Sequence, residues 1–155
     1  MHHPRFSSGK EHGSIHNVKP LWDALYEAGA DVVLSGHSHN YERFAPQDPV
    51  GKADPERGIR EFVVGTGGES HDPIGVPIAN SEVHNDNTYG VLRLTLRPKS
   101  YVWRFLAVEG ATFSDSGSDS CDPNGTTPPG PDPTPQPTAT ASPQPTATAS
   151  PQPLP

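Results

Sequence analysis

The octapeptide PQPTATAS is read twice in succession, at residues 135–142 and 143–150, and a third copy begins at Pro151. Proline at that density fixes φ and removes amide donors, so the segment can enter neither a helix interior nor a central strand. From about Ser114 the chain runs through SDSGSDSCDPNG and then into proline, threonine, alanine and glutamine without an aromatic residue. Nothing there builds a core. The foldable part is confined to residues 1–122, one modest domain, and residues 123–155 are expected to be a disordered linker. Its polyproline II conformation extends about 3.1 Å per residue and acts as a semi-rigid spacer. Proline beside serine and threonine also matches the composition of O-glycosylated stalks. Such stalks separate a catalytic domain from an anchor or a binding module outside the cell.

The formal charge is −7, and lysine and arginine form no cluster. The basic footprint that nucleic acid requires is missing, which excludes that class of partner. The longest apolar runs, DVVL and EFVV, fall far short of the roughly 18 residues that span a bilayer, so no membrane span is expected. The opening MHHPRF lacks the basic start and apolar centre of a signal peptide, which on its own points to the cytoplasm. Cys121 is the single cysteine. It allows no internal disulfide and leaves the redox compartment open.

Val18, Leu21, Trp22, Leu25 and Tyr26 recur at the spacing of one helical face, predicting a helix over residues 17–28 with Asn17 as its cap. Pro20 suits the first turn and Gly29 supplies a left-handed stop. DVVLS follows as a strand buried on both faces, as in parallel sheets. A second strand covers residues 59–65 and ends in GTGGE, where the backbone either bends sharply or approaches a site closely. Residues 70–87 are expected to form a polar loop. Leu92, Leu94 and Leu96 alternate with Arg93, Thr95 and Arg97. After a turn at PKS, Tyr101, Trp103 and Phe105 share a face. Residues 88–108 should therefore form an antiparallel hairpin closing the sheet edge. The expected class is α/β.

GHSH at residues 36–39 places two imidazoles just beyond a strand's carboxyl end, the edge where open α/β sheets hold their ligands. In extended backbone, side chains two apart share a face, which aims His37 and His39 together. Neutral imidazole is the commonest zinc ligand and serves iron and manganese too. The alternative is a polar loop with incidental histidines. His2, His3 and His12 flank a proline and a turn of small residues. By spacing alone they are as compatible with a solvated turn as with a site.

HHPRFSSG, then an amphipathic helix, then DVVLSGHSHNYERFAP resembles the second half of calcineurin-like metallophosphoesterases, in their purple-acid-phosphatase-like branch. GTGG, NTYGVLRLTL and FSDSGSDSC are similar to secreted bacterial members of it. The resemblance covers residues 1–122 and implies the C-terminal part of an α/β sandwich ending in an antiparallel hairpin. It implies two metal ions, iron, zinc or manganese, with His2 and His37 binding one and His39 the other. The substrate-facing histidine corresponds to His12. His3 becomes a wall of the site, and His16 the start of the helix.

The earlier aspartate, GD and GNH[DE] blocks of that family are absent. GESHDP at residues 68–73 resembles the last of them but follows GHSH instead of preceding it, so His71 is taken as a loop histidine. Met1 is then expected to be internal to a longer enzyme, which leaves the missing signal peptide uninformative and favours an extracellular or cell-surface location. Arg43 and Glu42 are expected to brace the structure more than to touch phosphate, and Tyr41 to pack on the sheet with Asn40 beside it. GTGG lacks the lysine and following helix of a phosphate loop.

The implied activity is hydrolysis of phosphate monoesters by hydroxide activated between two metals, with His12 assisting the departing group. This chain alone would be inactive. Phosphodiesterase or nucleotidase activity of the same superfamily, and an inactive stalk-tethered surface module holding one metal or none, are the alternatives. The expected partner is a phosphoester substrate, with attachment to a surface or a further module through the linker.

Overall fold

The computed structural model describes residues 1–121. The expected linker at residues 123–155 lies outside the described residues. A 3₁₀ turn, His16–Val18, leads into α1, Lys19–Glu27, followed by β1, Val32–Ser35; β2, Tyr41–Phe44; β3, Arg60–Val64; β4, Ser81–Asn85; β5, Gly90–Arg97; β6, Ser100–Ala107; and β7, Ser116–Ser120. One sheet has the order β1-β3-β2-β4 and the other β5-β6-β7. Only the β1–β3 pairing is parallel.

α1 begins later than its apolar period predicts. Val18 occupies the cap position with no side-chain hydrogen bond, Pro20 sits in the first turn, and Asn17 belongs to the preceding 3₁₀ turn that His16 opens. The stop is as expected. Gly29 has φ 74°, and its N–H reaches the Tyr26 carbonyl at 3.1 Å while the Ala30 N–H reaches Leu25 at 2.9 Å. These are the paired bonds of a Schellman motif, which needs the left-handed conformation that glycine adopts without penalty.

The first sheet is covered on both faces. Trp22 of α1 packs with Phe6, Val33, Phe44, Ile59 and Val63 on one side. On the other, Tyr41 and Phe62 meet Tyr101, Trp103 and Phe105 of the second sheet. Alternation along β3 sends Phe62 to the second sheet and Val63 to the helix layer. Burying an aromatic or aliphatic side chain contributes roughly 1.5–3 kcal/mol each, so these two clusters hold the layers together. β1 departs from the expectation of full burial. It lies at the sheet edge, and Leu34 is 43% exposed.

Three strands were hidden by their polarity. β2 carries Glu42 and Arg43, yet Tyr41, Glu42 and Phe44 are buried because the charges have partners. β4 falls within the stretch expected to be loop and pairs with β2 as an edge strand. β7 is serine, glycine and aspartate, and it extends the second sheet by pairing with β6. The expected antiparallel hairpin forms, with Leu94 opposite Trp103. It opens a second sheet instead of closing the first. Among the described residues no helix is long and apolar enough to cross a membrane.

Candidate metal centre

Residues 1 and 2 run alongside the end of β1. The Met1 amino group donates to the Leu34 carbonyl at 2.7 Å, and the Gly36 N–H donates to the His2 carbonyl at 2.9 Å. The first histidine motif is thereby hydrogen-bonded to the second. Beyond Pro4, two strand carboxylates hold the turn that leads to His12. Glu61 of β3 accepts the N–H groups of Arg5 and Phe6 at 3.1 and 3.0 Å. Glu42 of β2 accepts the Ser8 N–H at 2.7 Å and its hydroxyl at 2.6 Å. Burial pushes the Glu61 carboxyl up to about 7, against the opposing pull of the Phe6 N–H, the Ser35 hydroxyl and the Arg5 N–H; the neighbouring Glu42 adds to the rise.

The GHSH loop is coiled, not extended. His37 has φ 61°, and the Ser38 and Asn40 N–H groups each bond a carbonyl two residues back, at 2.7 and 2.8 Å. A left-handed conformation costs a residue other than glycine roughly 1–2 kcal/mol. His37 and His39 are thus not aimed by strand alternation, contrary to the expectation. The coil is held from beneath. Ser38, fully buried, bonds the His12 carbonyl and lies 2.9 Å from Ser7 Oγ and 3.1 Å from Asp72 Oδ2. The Gly65 N–H meets the Asn40 carbonyl at 3.0 Å. A Cβ at Gly65 would stand 1.9 Å from the Ser38 carbonyl oxygen. Of the two readings of GTGG, close approach beneath the site is the one that holds at this position.

The imidazoles form a connected row. His2 Nε2 lies 3.1 Å from His37 Nδ1, with ring centroids 5.0 Å apart. His12 lies 4.5 Å from His37 and 5.5 Å from His39. All four histidines singled out in the sequence meet at one sheet edge, but His39 stands beside His12. His3, placed in the wall by the resemblance, lies 4.4 Å from the His37 ring. The ligand atoms of His2, His3 and His37 all fall within 4.8 Å of one another. Burial lowers the His37 pKa, and the positive charges of His12, His3, His2 and His39 lower it further. At the rim Glu69 feels the charge of His39, although the Ser70 backbone N–H is the main force holding its carboxyl below the usual range.

Asp72 is the residue that sequence reasoning missed. It is 1% exposed and accepts the N–H groups of Glu11 and His12 at 2.9 and 3.1 Å. Its place directly after His71 in GESHDP was the available signal. His71 stacks on Tyr89 with centroids 4.1 Å apart. Arg43 is spent on the opposite face of the sheet, paired with Asp115 at 2.8 Å and with Glu82. Tyr41 packs there as expected, its hydroxyl donating to Asp115 at 2.7 Å. Arg43 and Glu42 therefore both brace the structure.

No family model matches the chain. Among curated proteins, purple acid phosphatase 21 of Arabidopsis thaliana is 41% identical over 70 residues, 44% of this chain and 16% of that protein. Among solved structures, the purple acid phosphatase PPD1 from yellow lupin (Lupinus luteus) seeds matches with a TM-score of 0.61 and 22% identity, covering 77% of this chain and 24% of that one. GAP50, the anchor in the inner membrane complex of Plasmodium, matches with a TM-score of 0.58 and 22% identity over 74% of this chain and 33% of that one. The mixed α/β fold is that of part of the lupin purple acid phosphatase structure. The chain is purple-acid-phosphatase-like, and it spans between 16% and 33% of the length of these relatives.

Proposed function

We propose that this chain carries the histidine side of a metal-dependent phosphoester hydrolase, with carboxylate ligands coming from polypeptide outside these 155 residues. The observation that carries the reading is the row of His2, His37, His12 and His39 at the edge beyond β1. Imidazoles fit zinc, iron or manganese as donors, so the residues present suit one side of a two-metal centre. His2 and His37 would hold one ion and His39 the other. Two bound cations supply charge neutralisation at the phosphoryl oxygens and an acidified water as nucleophile.

The protein's own part is positioning and proton transfer. His12, its N–H donating to Asp72 and its carbonyl accepting from Ser38, lies in ring contact with His37 and His39. An imidazole so placed can donate a proton to the departing alkoxide of a phosphate monoester, help that is typically worth roughly 10²–10⁴-fold. Residues 1–122 form the folded unit in this reading. Residues 123–155 form a spacer that holds it outside the cell or at its surface.

The test compares two proteins. The 155-residue chain alone is expected to leave p-nitrophenyl phosphate unhydrolysed. Joined to a segment that supplies the carboxylate blocks, it should turn the substrate over, and His37→Ala and His39→Ala should each abolish that turnover. His12→Ala should keep both metals and lose most activity on esters with poor leaving groups. Activity indifferent to His37 and His39 would overturn the assignment.

A further inference from the structure

The resemblance places His3 outside the ligand set, yet the structure gathers it with His2 and His37. In tetrahedral zinc sites the metal–nitrogen distance is about 2.0–2.1 Å, which sets ligand nitrogens roughly 3.3–3.4 Å apart. His2 Nε2 and His37 Nδ1 already stand at 3.1 Å. With no ion between them, that contact requires one ring to donate a proton and the other a lone pair. A cation replaces the proton and takes both lone pairs. The third ligand atom lies within 4.8 Å of the other two, so closure asks for a movement of the order of an ångström.

Who moves is decided by exposure. His2 and His3 are exposed, so their side chains turn about χ1 and χ2 without disturbing packing, whereas His37 is half-buried on a loop tied down by Ser38 and Asp72. One fixed ligand and two adjustable ones suit capture of a single ion. His39 is not in this group. Its ring lies 5.5 Å from that of His12, which itself lies 4.5 Å from His37, and its ligand atom is not among those gathered with His2, His3 and His37. The left-handed φ of 61° at His37 is a local cost, and strain held by surrounding hydrogen bonds is typical of functional positions.

We infer that this chain, by itself, binds one divalent cation of the zinc class through His2, His3 and His37, with His39 taking no part. An all-imidazole set selects zinc, cobalt, nickel or copper over magnesium and calcium, which prefer oxygen. Where no carboxylate reaches the site, His3 fills the position an anionic ligand would take. Three protein ligands leave a fourth position for water or an exchangeable anion.

Cobalt(II) is the probe, because its visible absorption is intense when tetrahedral and weak when octahedral. Titrated into the 155-residue chain, it should produce the intense spectrum and saturate at one equivalent. Excess magnesium should not displace it. His3→Ala and His37→Ala should each weaken binding by about tenfold or more, while His39→Ala binds as the wild type does. The requirement for His37 rules out a site made by the chain's first residues alone. His3 is exposed, so His3→Ala keeps its fold, and circular dichroism verifies it. Failure of the folded chain to take up cobalt, saturation at two equivalents, or a loss in His39→Ala matching that in His3→Ala would overturn the inference. None of these readouts involves phosphatase turnover, so the inference can fail while the hydrolase reading stands.

Discussion

Asp72 Oδ2 accepts the His12 backbone N–H at 3.1 Å across 60 positions of sequence, and its other oxygen accepts the Glu11 N–H at 2.9 Å. A buried carboxylate thereby sets the loop that presents the candidate proton donor. Asp72→Ala leaves both amides without this acceptor, at about 1–3 kcal/mol for each one that stays dry. A lowered urea midpoint is expected, with Asp72→Asn intermediate because it keeps one acceptor oxygen. An unchanged midpoint in Asp72→Ala would show that the clip is dispensable.

Stability should carry a signature of Glu61. Its folded pKa, pushed up to about 7 by burial, exceeds the unfolded value of 4.5. The folded state therefore binds the proton more tightly. That contribution is fully present below pH 4.5 and is lost as pH rises through about 7, with a slope of at most about 1.4 kcal/mol per pH unit. His37 acts with the opposite sign, since its folded pKa is lowered and stability is gained as pH rises towards 6.5. The difference in melting temperature between wild type and Glu61→Gln isolates the first effect. That difference should shift in favour of the glutamine variant as pH increases across the window; a difference flat with pH would refute it.

Gly65 and Gly67 make a matched pair. A Cβ at Gly65 would lie 1.9 Å from the Ser38 carbonyl oxygen, whereas one at Gly67 meets nothing within 4 Å. Gly65→Ala must push the GHSH loop away, at a cost of about 1–3 kcal/mol, and should also diminish cobalt uptake. Gly67→Ala should change neither. Equal melting temperatures for the two variants would contradict the close approach.

Asp115 is the hub between the sheets. It accepts from the Tyr41 hydroxyl at 2.7 Å, Trp103 Nε1 at 3.1 Å and Arg43 Nε at 2.8 Å. Asp115→Ala leaves a phenol and an indole N–H without this acceptor in a largely buried place and removes one of the two carboxylates paired with Arg43. Breaking a buried pair from one side costs about 3–5 kcal/mol. The expected result is the largest fall in urea midpoint of the variants discussed, and a fall below that of Asp72→Ala would count against the hub.

Apolar pattern alone determined α1 and the β5–β6 hairpin, whose apolar residues recur on one face at the spacing their backbone dictates, and β1 and β3, which are short continuous apolar runs. Residue type and spacing singled out His37 and His39, and the family resemblance added His2 and His12 while leaving His3 aside. β2, β4 and β7 were not legible, since their sheet positions depend on partners remote in sequence. Glu42 and Arg43 look like loop residues until Ser8 and Asp115 are seen to satisfy them. β7 has almost no apolar side chain and is held by its ladder to β6 and by Asp119 pairing with Arg60. The convergence of His3 on His37 belonged to the tertiary structure for the same reason. Adjacent residues in a non-helical turn carry no rule that aims both side chains at one point. Only the hydrogen bonds from Met1 to Leu34 and from Gly36 to His2 bring that turn against the GHSH loop.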